Sequence, residues 1–313
     1  MYREHSVAIV VPAYNERGFV GSVLEAMPAY VDRVYAVDDA STDGTWTELL
    51  TVADGDASRD EQQPSALNAR TAATRQSGPV VAFRHARNRG PGGAIKTGYL
   101  AALGEGFDLI ATIDGDGQMD LALLDRFLDP LIDGLADYTK GSRFERSDDV
   151  EGMPAFRRFG NTLLTQLAQA VIVDKSLTDP VNGYTAITRQ ALRSIDVPEL
   201  YEGYGYGIDV LGRLDVNDCR VVDIPHPASY ADETSSIRYH TYVPRVSYLL
   251  AATALRKPRR KHFLPGMGIS GILELFRFGP PLARIADRTE GTEEGSVAHS
   301  SQDPPERNGD DSA

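Results

Sequence analysis

The chain has 313 residues, 42% hydrophobic and 25% charged, which is ordinary for a globular protein with one large core or two small ones. Its net charge of −13 excludes general nucleic-acid binding, which needs a basic surface. A single cysteine, Cys219, excludes an intrachain disulfide and a cysteine zinc cage.

Arginine outnumbers lysine 27 to 5, a bias that with the abundant aspartate fits a high-salt cytoplasm. The polar flanks of Cys219 read as those of a structural thiol. The chain opens Met1-Tyr2-Arg3-Glu4-His5 without a signal-peptide pattern, and no run approaches the ~18 apolar residues of a membrane span. The expectation is a soluble or membrane-peripheral protein.

In chain order, Val7-Ala8-Ile9-Val10-Val11 reads as a buried strand ending at Pro12-Ala13-Tyr14-Asn15-Glu16, with a helix over 18–30. Val34-Tyr35-Ala36-Val37 is a second strand, closed by Asp38-Asp39-Ala40-Ser41-Thr42-Asp43-Gly44-Thr45, where Ser41 or Asp43 can cap a helix over 46–52. Residues 54–78 lack apolar periodicity and read as a partly helical surface insertion. Val80-Val81-Ala82-Phe83 is a third strand, followed by Asn88-Arg89-Gly90-Pro91-Gly92-Gly93 and a helix over 94–103. Leu109-Ile110-Ala111-Thr112-Ile113 is a fourth, leading into Asp114-Gly115-Asp116-Gly117-Gln118. Strand and helix thus alternate, the pattern of a mainly parallel central sheet with helices on both faces. Every motif follows a strand, so all fall on the carboxyl edge of that sheet, where ligands bind.

Further on, 121–131 reads as a helix, Tyr138-Thr139-Lys140-Gly141-Ser142-Arg143-Phe144 as a strand and 145–151 as an acidic lid. A helix over 159–173, a turn at Thr178-Asp179-Pro180-Val181-Asn182-Gly183-Tyr184, and the strand Thr185-Ala186-Ile187 come next. A helix over 205–216, a strand over 220–224 and an amphipathic helix over 243–256 complete the pattern. Residues 287–313 carry eight acidic and two basic side chains among Gly, Ser and Pro and read as a disordered tail. The domain expectation is a catalytic domain over 1–242, a basic amphipathic helical region over 243–286 and that tail.

Asp114 and Asp116, one residue apart after a buried strand, can share one hard cation, with Gln118 adding an amide oxygen. Carboxylate and amide oxygens suit Mg²⁺ or Mn²⁺, and a nucleotide diphosphate would complete the shell. The same spacing also fits an Asx-capped turn. Asp38 or Asp39 either caps the next helix or accepts hydrogen bonds from a base or ribose. Tyr14 and Glu16 are placed to approach a base, and Pro12 fixes the strand exit. The Asn88–Gly93 glycines match neither a dinucleotide fingerprint nor a P-loop; they signal close backbone approach to a ligand or to a crossing helix. Arg143, beside Ser142 at a strand end, can bind phosphate.

Val10-Val11-Pro12-Ala13-Tyr14-Asn15-Glu16, Asp38-Asp39-Ala40-Ser41-Thr42-Asp43-Gly44-Thr45, Asn88-Arg89-Gly90, Asp114-Gly115-Asp116-Gly117-Gln118 and Gly141-Ser142-Arg143-Phe144 resemble, in order, the motif series of glycosyltransferase family 2. Within it the chain most resembles the dolichol-phosphate mannose synthase and polyprenyl-phosphate glycosyltransferase group, over residues 5–225. The resemblance implies a GT-A fold, a GDP- or UDP-linked sugar donor, a divalent metal, and inversion at the anomeric carbon. By position it implies Pro12, Tyr14, Glu16, Asp38, Asp39 and Asp114 around the nucleotide. It implies Asp114, Asp116 and Gln118 on metal and diphosphate, and Asp114, Asp116 and Arg143 in catalysis. Ser142, Arg143, Arg157 and Arg158 are candidates for acceptor phosphate, and the Asp179-to-Tyr184 turn matches a family turn near the sugar.

Two family features of hydroxyl-acceptor members are missing: a late acidic pair with a catalytic aspartate, and a Gln-x-x-Arg-Trp motif, the only tryptophan being Trp46. Asp209 is the nearest acidic candidate, and an exposed helical aspartate is its plainer reading. A sugar hydroxyl needs a general base, whereas a lipid phosphate is already anionic. The expected reaction is therefore hexose transfer to a polyprenyl phosphate at the cytoplasmic membrane face. Arg245, Arg256, Lys257, Arg259, Arg260, Lys261 and His262, with apolar neighbours, fit peripheral docking on an anionic membrane. The alternatives are a glycan or small-molecule hydroxyl acceptor with Asp209 as base, and a non-catalytic partner that regulates or anchors a transferase.

Overall fold

A computed structural model of the chain describes residues 1–53, 65–142, 179–180 and 182–226. Eight strands form one sheet: β1 (Val7–Ala13), β2 (Arg33–Asp38), β3 (Thr71–Ser77), β4 (Val80–His85), β5 (Leu109–Thr112), β6 (Tyr138–Ser142), β7 (Thr185–Thr188) and β8 (Val221–Pro225). Their order is β3-β4-β2-β1-β5-β7-β6-β8. β4, β2, β1 and β5 are mutually parallel, with Val10 opposite Tyr35 on one side and Thr112 on the other. β7 pairs antiparallel with β5 and β6, while β8 runs parallel to β6. The expected mainly parallel sheet is thus present, with two strands reversed. One of them, β3, lies inside the stretch read as an insertion: Thr71–Ser77 pairs antiparallel with β4 and closes the sheet edge.

The helices are α1 (Val20–Glu25), α2 (Thr45–Val52), α3 (Ser65–Asn68), α4 (Pro91–Glu105), α5 (Leu124–Ile132), α6 (Arg189–Ser194) and α7 (Tyr206–Val216). They cover both faces because the strands are apolar on both. Along β1, Ala8 and Val10 join one core with Tyr35, Phe83, Ile95, Tyr99 and Leu211. Val7, Ile9 and Val11 join the other with Val34, Leu49, Leu109 and Phe127. A strand alternates its side chains between faces, so a continuous apolar run is what a doubly covered strand requires.

α4 packs closely on β1. A Cβ on its Gly98 would stand 2.3 Å from a Val10 methyl, so glycine lets the helix settle on β1. α1 ends sooner than its apolar pattern implies, at Glu25, three residues before Pro28. Its amino end is held from α2: the Glu48 carboxylate accepts the Gly18 and Gly21 N–H groups at 2.6 and 2.7 Å. Among the described residues no helix is long and apolar enough to cross a membrane. The lid over 145–151 and the regions over 243–286 and 287–313 lie outside the described residues.

Candidate active site

The loops after β1, β2, β4 and β5 share the carboxyl edge and are tied to one another. Asp39 N–H donates to the Ala13 carbonyl (2.9 Å) and Gly115 N–H to the Pro12 carbonyl (3.2 Å). The loop after β1 is laced to the one after β2: Asn15 N–H donates to Ser41 Oγ, Glu16 N–H to Thr45 Oγ1 and Thr42 N–H to Asn15 Oδ1. Asn15 (φ +58°) and Ala40 (φ +62°) both hold left-handed backbone there. For alanine that conformation costs ~1 kcal/mol or more, strain of the kind found at ligand clamps. The cap of α2 is Gly44 and not Ser41 or Asp43; Asp43, one residue ahead of it, accepts the Thr45 N–H (2.9 Å). Pro12, Tyr14, Glu16 and Asp38 are thereby gathered at one place, with the Tyr14 ring exposed.

Asp38 and Asp39 are both buried yet differ in what they hold. Asp38 Oδ1 accepts the Ser41 N–H (3.0 Å). Asp38 Oδ2 is buried without a hydrogen-bond partner, and the Arg84 Nε, 3.2 Å away, gives it charge but not hydrogen-bond geometry. The Arg84 guanidinium lies over the Trp46 ring. Asp39 turns inward. Its Oδ1 meets His85 Nδ1 at 2.6 Å and accepts the Arg89 N–H, and its Oδ2 accepts the Gly90 N–H at 2.7 Å. Asp39 therefore braces the loop after β4, so its carboxylate is already committed within the protein.

That loop also answers the question posed by its glycines. A Cβ on Gly90 or Gly92 would lie 2.7 Å from the Glu202 carbonyl or 2.4 Å from the Tyr201 carbonyl, so the approaching group is the backbone of 201–203. Glu202 is surrounded by Arg70 (2.7 Å), Lys96 (3.2 Å) and Arg89 (3.6 Å). Burial alone would raise its carboxyl, but the bonds and charges of Arg70 and Lys96 outweigh that and hold it below the usual range. Lys96 is consumed here, in keeping with the absence of a P-loop pattern.

At the end of β5, Asp114 and Asp116 are both half-buried. Asp116 Oδ1 accepts the Gln118 N–H (3.0 Å), an Asx turn, and Gly117 supplies the left-handed backbone (φ +74°). Burial pushes the Asp116 carboxyl up, against the lowering by its own and the Gln118 N–H groups. Asp114 N–H points at Met119 Sδ (3.3 Å). The Asx turn is present at Asp116, and it leaves room for the hard-donor reading, since a bound cation would offset the burial of the Asp116 carboxylate. Among the described residues no three His, Cys, Asp or Glu side chains come together, so Asp114, Asp116 and Gln118 would need further ligands to complete a cation's shell.

Asp209 is not exposed. It is 2% accessible at the start of α7, and its Oδ2 accepts the Tyr201 N–H (3.0 Å) and the Arg213 Nε–H (3.1 Å). Ser142 is fully buried at the end of β6, its carbonyl accepting the His226 N–H. Arg143, Arg157 and Arg158 lie outside the described residues. Arg84, His85 and Glu202 went unremarked in the sequence. Arg84 and His85 end a strand on the site edge, a usable signal; Glu202 had none, because its partners are distant in the chain.

A sheet of this order with helices on both faces is the layout of a GT-A fold glycosyltransferase. Solved structures of glucosyl-3-phosphoglycerate synthase from Mycobacterium tuberculosis share it. One bound to phosphoglyceric acid superposes with a TM-score of 0.54 at 17% identity over 80% of each chain. One with Mn²⁺, uridine-diphosphate and phosphoglyceric acid gives 0.52 at 19% over 84% of each. The chain belongs to glycosyl transferase family 2, whose family model matches residues 8–196.

Its relatives include a UDP-N-acetylglucosamine–dolichyl-phosphate N-acetylglucosaminyltransferase of Methanococcus voltae, 24% identical over 72% of this chain and 86% of that protein. An undecaprenyl-phosphate mannosyltransferase of Micrococcus luteus is 27% identical over 70% and 82%. A dolichyl-phosphate hexose transferase of Haloferax volcanii is 27% identical over 72% and 84%.

Proposed function

We propose that this family 2 glycosyltransferase moves a hexose, with inversion, from a GDP- or UDP-linked donor to a polyprenyl phosphate of the dolichyl type at the cytoplasmic membrane face, using Mg²⁺ or Mn²⁺. The observation that carries the reading is the Asp114–Gln118 loop, joined through the Pro12 carbonyl to the strand whose exit faces Asp38. The three relatives named above support the acceptor, since each carries dolichyl or undecaprenyl phosphate in its name.

Asp38 Oδ2, buried and lacking a hydrogen bond, accepts an N–H or O–H of the nucleoside; Tyr14 packs near the base, and Glu16 stands beside it. Asp114, Asp116 and Gln118 would hold the cation, which supplies positive charge to the departing diphosphate. Arg143 is assigned to the donor phosphates, and Arg157 and Arg158 to the acceptor phosphate, by the sequence resemblance alone. That acceptor is an anion and needs no proton removed before it attacks, which agrees with the engagement of Asp209 by Tyr201 and Arg213.

The test is a panel of radiolabelled GDP- and UDP-sugars offered with dolichyl phosphate, with and without EDTA. Transfer to the lipid phosphate that EDTA abolishes is the expected result. Transfer only to a hydroxyl acceptor would overturn the lipid-phosphate assignment, and undiminished transfer in EDTA would overturn the metal.

A further inference from the structure

Gly183 stands directly against the Asp114 carboxylate. A Cβ at Gly183 would lie 2.4 Å from Asp114 Oδ2 and 2.8 Å from Oδ1, closer than any real contact. Gly183 is not among the residues with left-handed backbone, so what a side chain here would disturb is the position of the Asp114 carboxylate and not the backbone conformation. The next residue grips the other end of the same loop. The Tyr184 hydroxyl donates to the Asp120 carbonyl (3.3 Å), and its ring stacks on Phe127 with centroids 3.9 Å apart.

The turn that presents these two residues is itself pinned from beneath. Asn182 Oδ1 accepts the Tyr184 N–H (2.9 Å), which fixes the amide orientation. Asn182 Nδ2 therefore faces Asp179 Oδ2 (3.2 Å) and His226 Nε2 (2.9 Å). His226 Nε2 must accept, so the neutral ring carries its proton on Nδ1. The Asp179 carbonyl takes the buried Lys140 ammonium at 2.7 Å, and that ammonium also meets Asp223 at 2.9 Å. The Gly141 N–H donates to the Tyr184 carbonyl (2.8 Å), tying the turn to β6. The Lys140–Asp223 contact is an ion pair without hydrogen-bond geometry, and the remaining bonds tie the turn to β6.

We propose that Asn182-Gly183-Tyr184 is a positioning element for the cation loop. Gly183 sets where the Asp114 carboxylate stands, and Tyr184 sets the backbone just past Gln118. This rests on the reading of Asp114, Asp116 and Gln118 as cation ligands. The residues of the turn act through that loop.

Mn²⁺ uptake, followed by electron paramagnetic resonance with Mn²⁺ alone and with UDP added, tests it alongside thermal melting. The full chain should take up Mn²⁺, and Asp116→Ala should abolish the uptake. Gly183→Ala should weaken Mn²⁺ binding by about ten-fold or more, as for other groups that orient metal ligands, while the melting temperature stays close to that of the parent. Tyr184→Phe, which keeps the stacked ring and loses only the bond to Asp120, should weaken it by about two- to ten-fold, the scale of one hydrogen bond. Parent-like Mn²⁺ affinity in Gly183→Ala overturns the positioning role while leaving the cation site standing. Should Gly183→Ala not fold, parent-like affinity in Tyr184→Phe overturns the proposal in its place. No uptake by the unaltered chain removes the cation site itself, and the proposal with it.

Discussion

Two adjacent buried carboxylates stand where β2 ends, Asp38 as its last residue and Asp39 just past it, and they have different partners. Asp39 has spent its oxygens on the Arg89 and Gly90 N–H groups and on His85. Asp38 has a buried Oδ2 with no hydrogen bond, a group that costs stability until something donates to it. The two positions should therefore fail differently. Asp38→Asn keeps the bond from Ser41 and replaces the carboxylate oxygen beside Arg84 with an amide. Calorimetry with UDP and GDP in the presence of Mn²⁺ should show binding weaker by about ten-fold, or ~1.4 kcal/mol, with little change in melting temperature. Asp39→Asn should instead lower the melting temperature, because it loosens the loop in front of α4. Equal nucleotide affinity in parent and Asp38→Asn would assign Asp38 to packing alone.

The elements best legible in the sequence are those whose burial is local and complete. β1, β2, β4 and β5 are β-branched apolar runs because helices cover both faces. β3, Thr71–Ser77, has no such run: at the sheet edge only Thr74 is buried, and Thr-Ala-Ala-Thr-Arg-Gln-Ser reads as surface. α6 is six residues long, too short for a helical period to declare itself. The site residues followed the same division. Asp114 and Asp116 are legible from spacing, but the engagement of Asp39, the burial of Asp209 and the grip of Gly183 depend on partners far along the chain. Gly98 is another such case, since nothing near it in sequence announces Val10. Gly98→Ala would drive a methyl into the Val10 side chain and should destabilise by about 1–3 kcal/mol in urea unfolding, despite the better helix propensity of alanine. Adding Val10→Ala to that variant should recover part of the loss, because it empties the space the new methyl needs. A double variant less stable than the sum of the two singles would show that the clash is not the cause.

At the scale of the molecule, the two edges of the sheet divide the labour. The carboxyl edge carries the candidate site, with strained backbone at Asn15 and Ala40 and a buried Asp38 oxygen that lacks a hydrogen bond. The opposite edge is cross-tied. Asp108, just ahead of β5, accepts the Ser6 N–H (3.0 Å) and hydroxyl (2.7 Å) ahead of β1, and pairs with Arg189 at the start of α6. Burial works to raise its carboxyl, but those bonds and the Arg189 charge outweigh it and hold it below the usual aspartate value. A carboxyl lowered in the folded state stabilises fully above its unfolded value of about 4, and that contribution disappears as pH falls through the folded value. Acidification also removes the net charge of −13, which reaches zero near the sequence pI of 4.9 and relieves self-repulsion. A measurement on one protein would mix these opposing trends, whereas a comparison with Asp108→Asn cancels most of the global one. The parent should melt well above Asp108→Asn at pH 7. The gap should hold down to about pH 5 and shrink steadily below about pH 4, as the parent carboxyl takes up the proton that makes it resemble the amide. A gap independent of pH would mean that the edge is held by shape and not by the charge on Asp108.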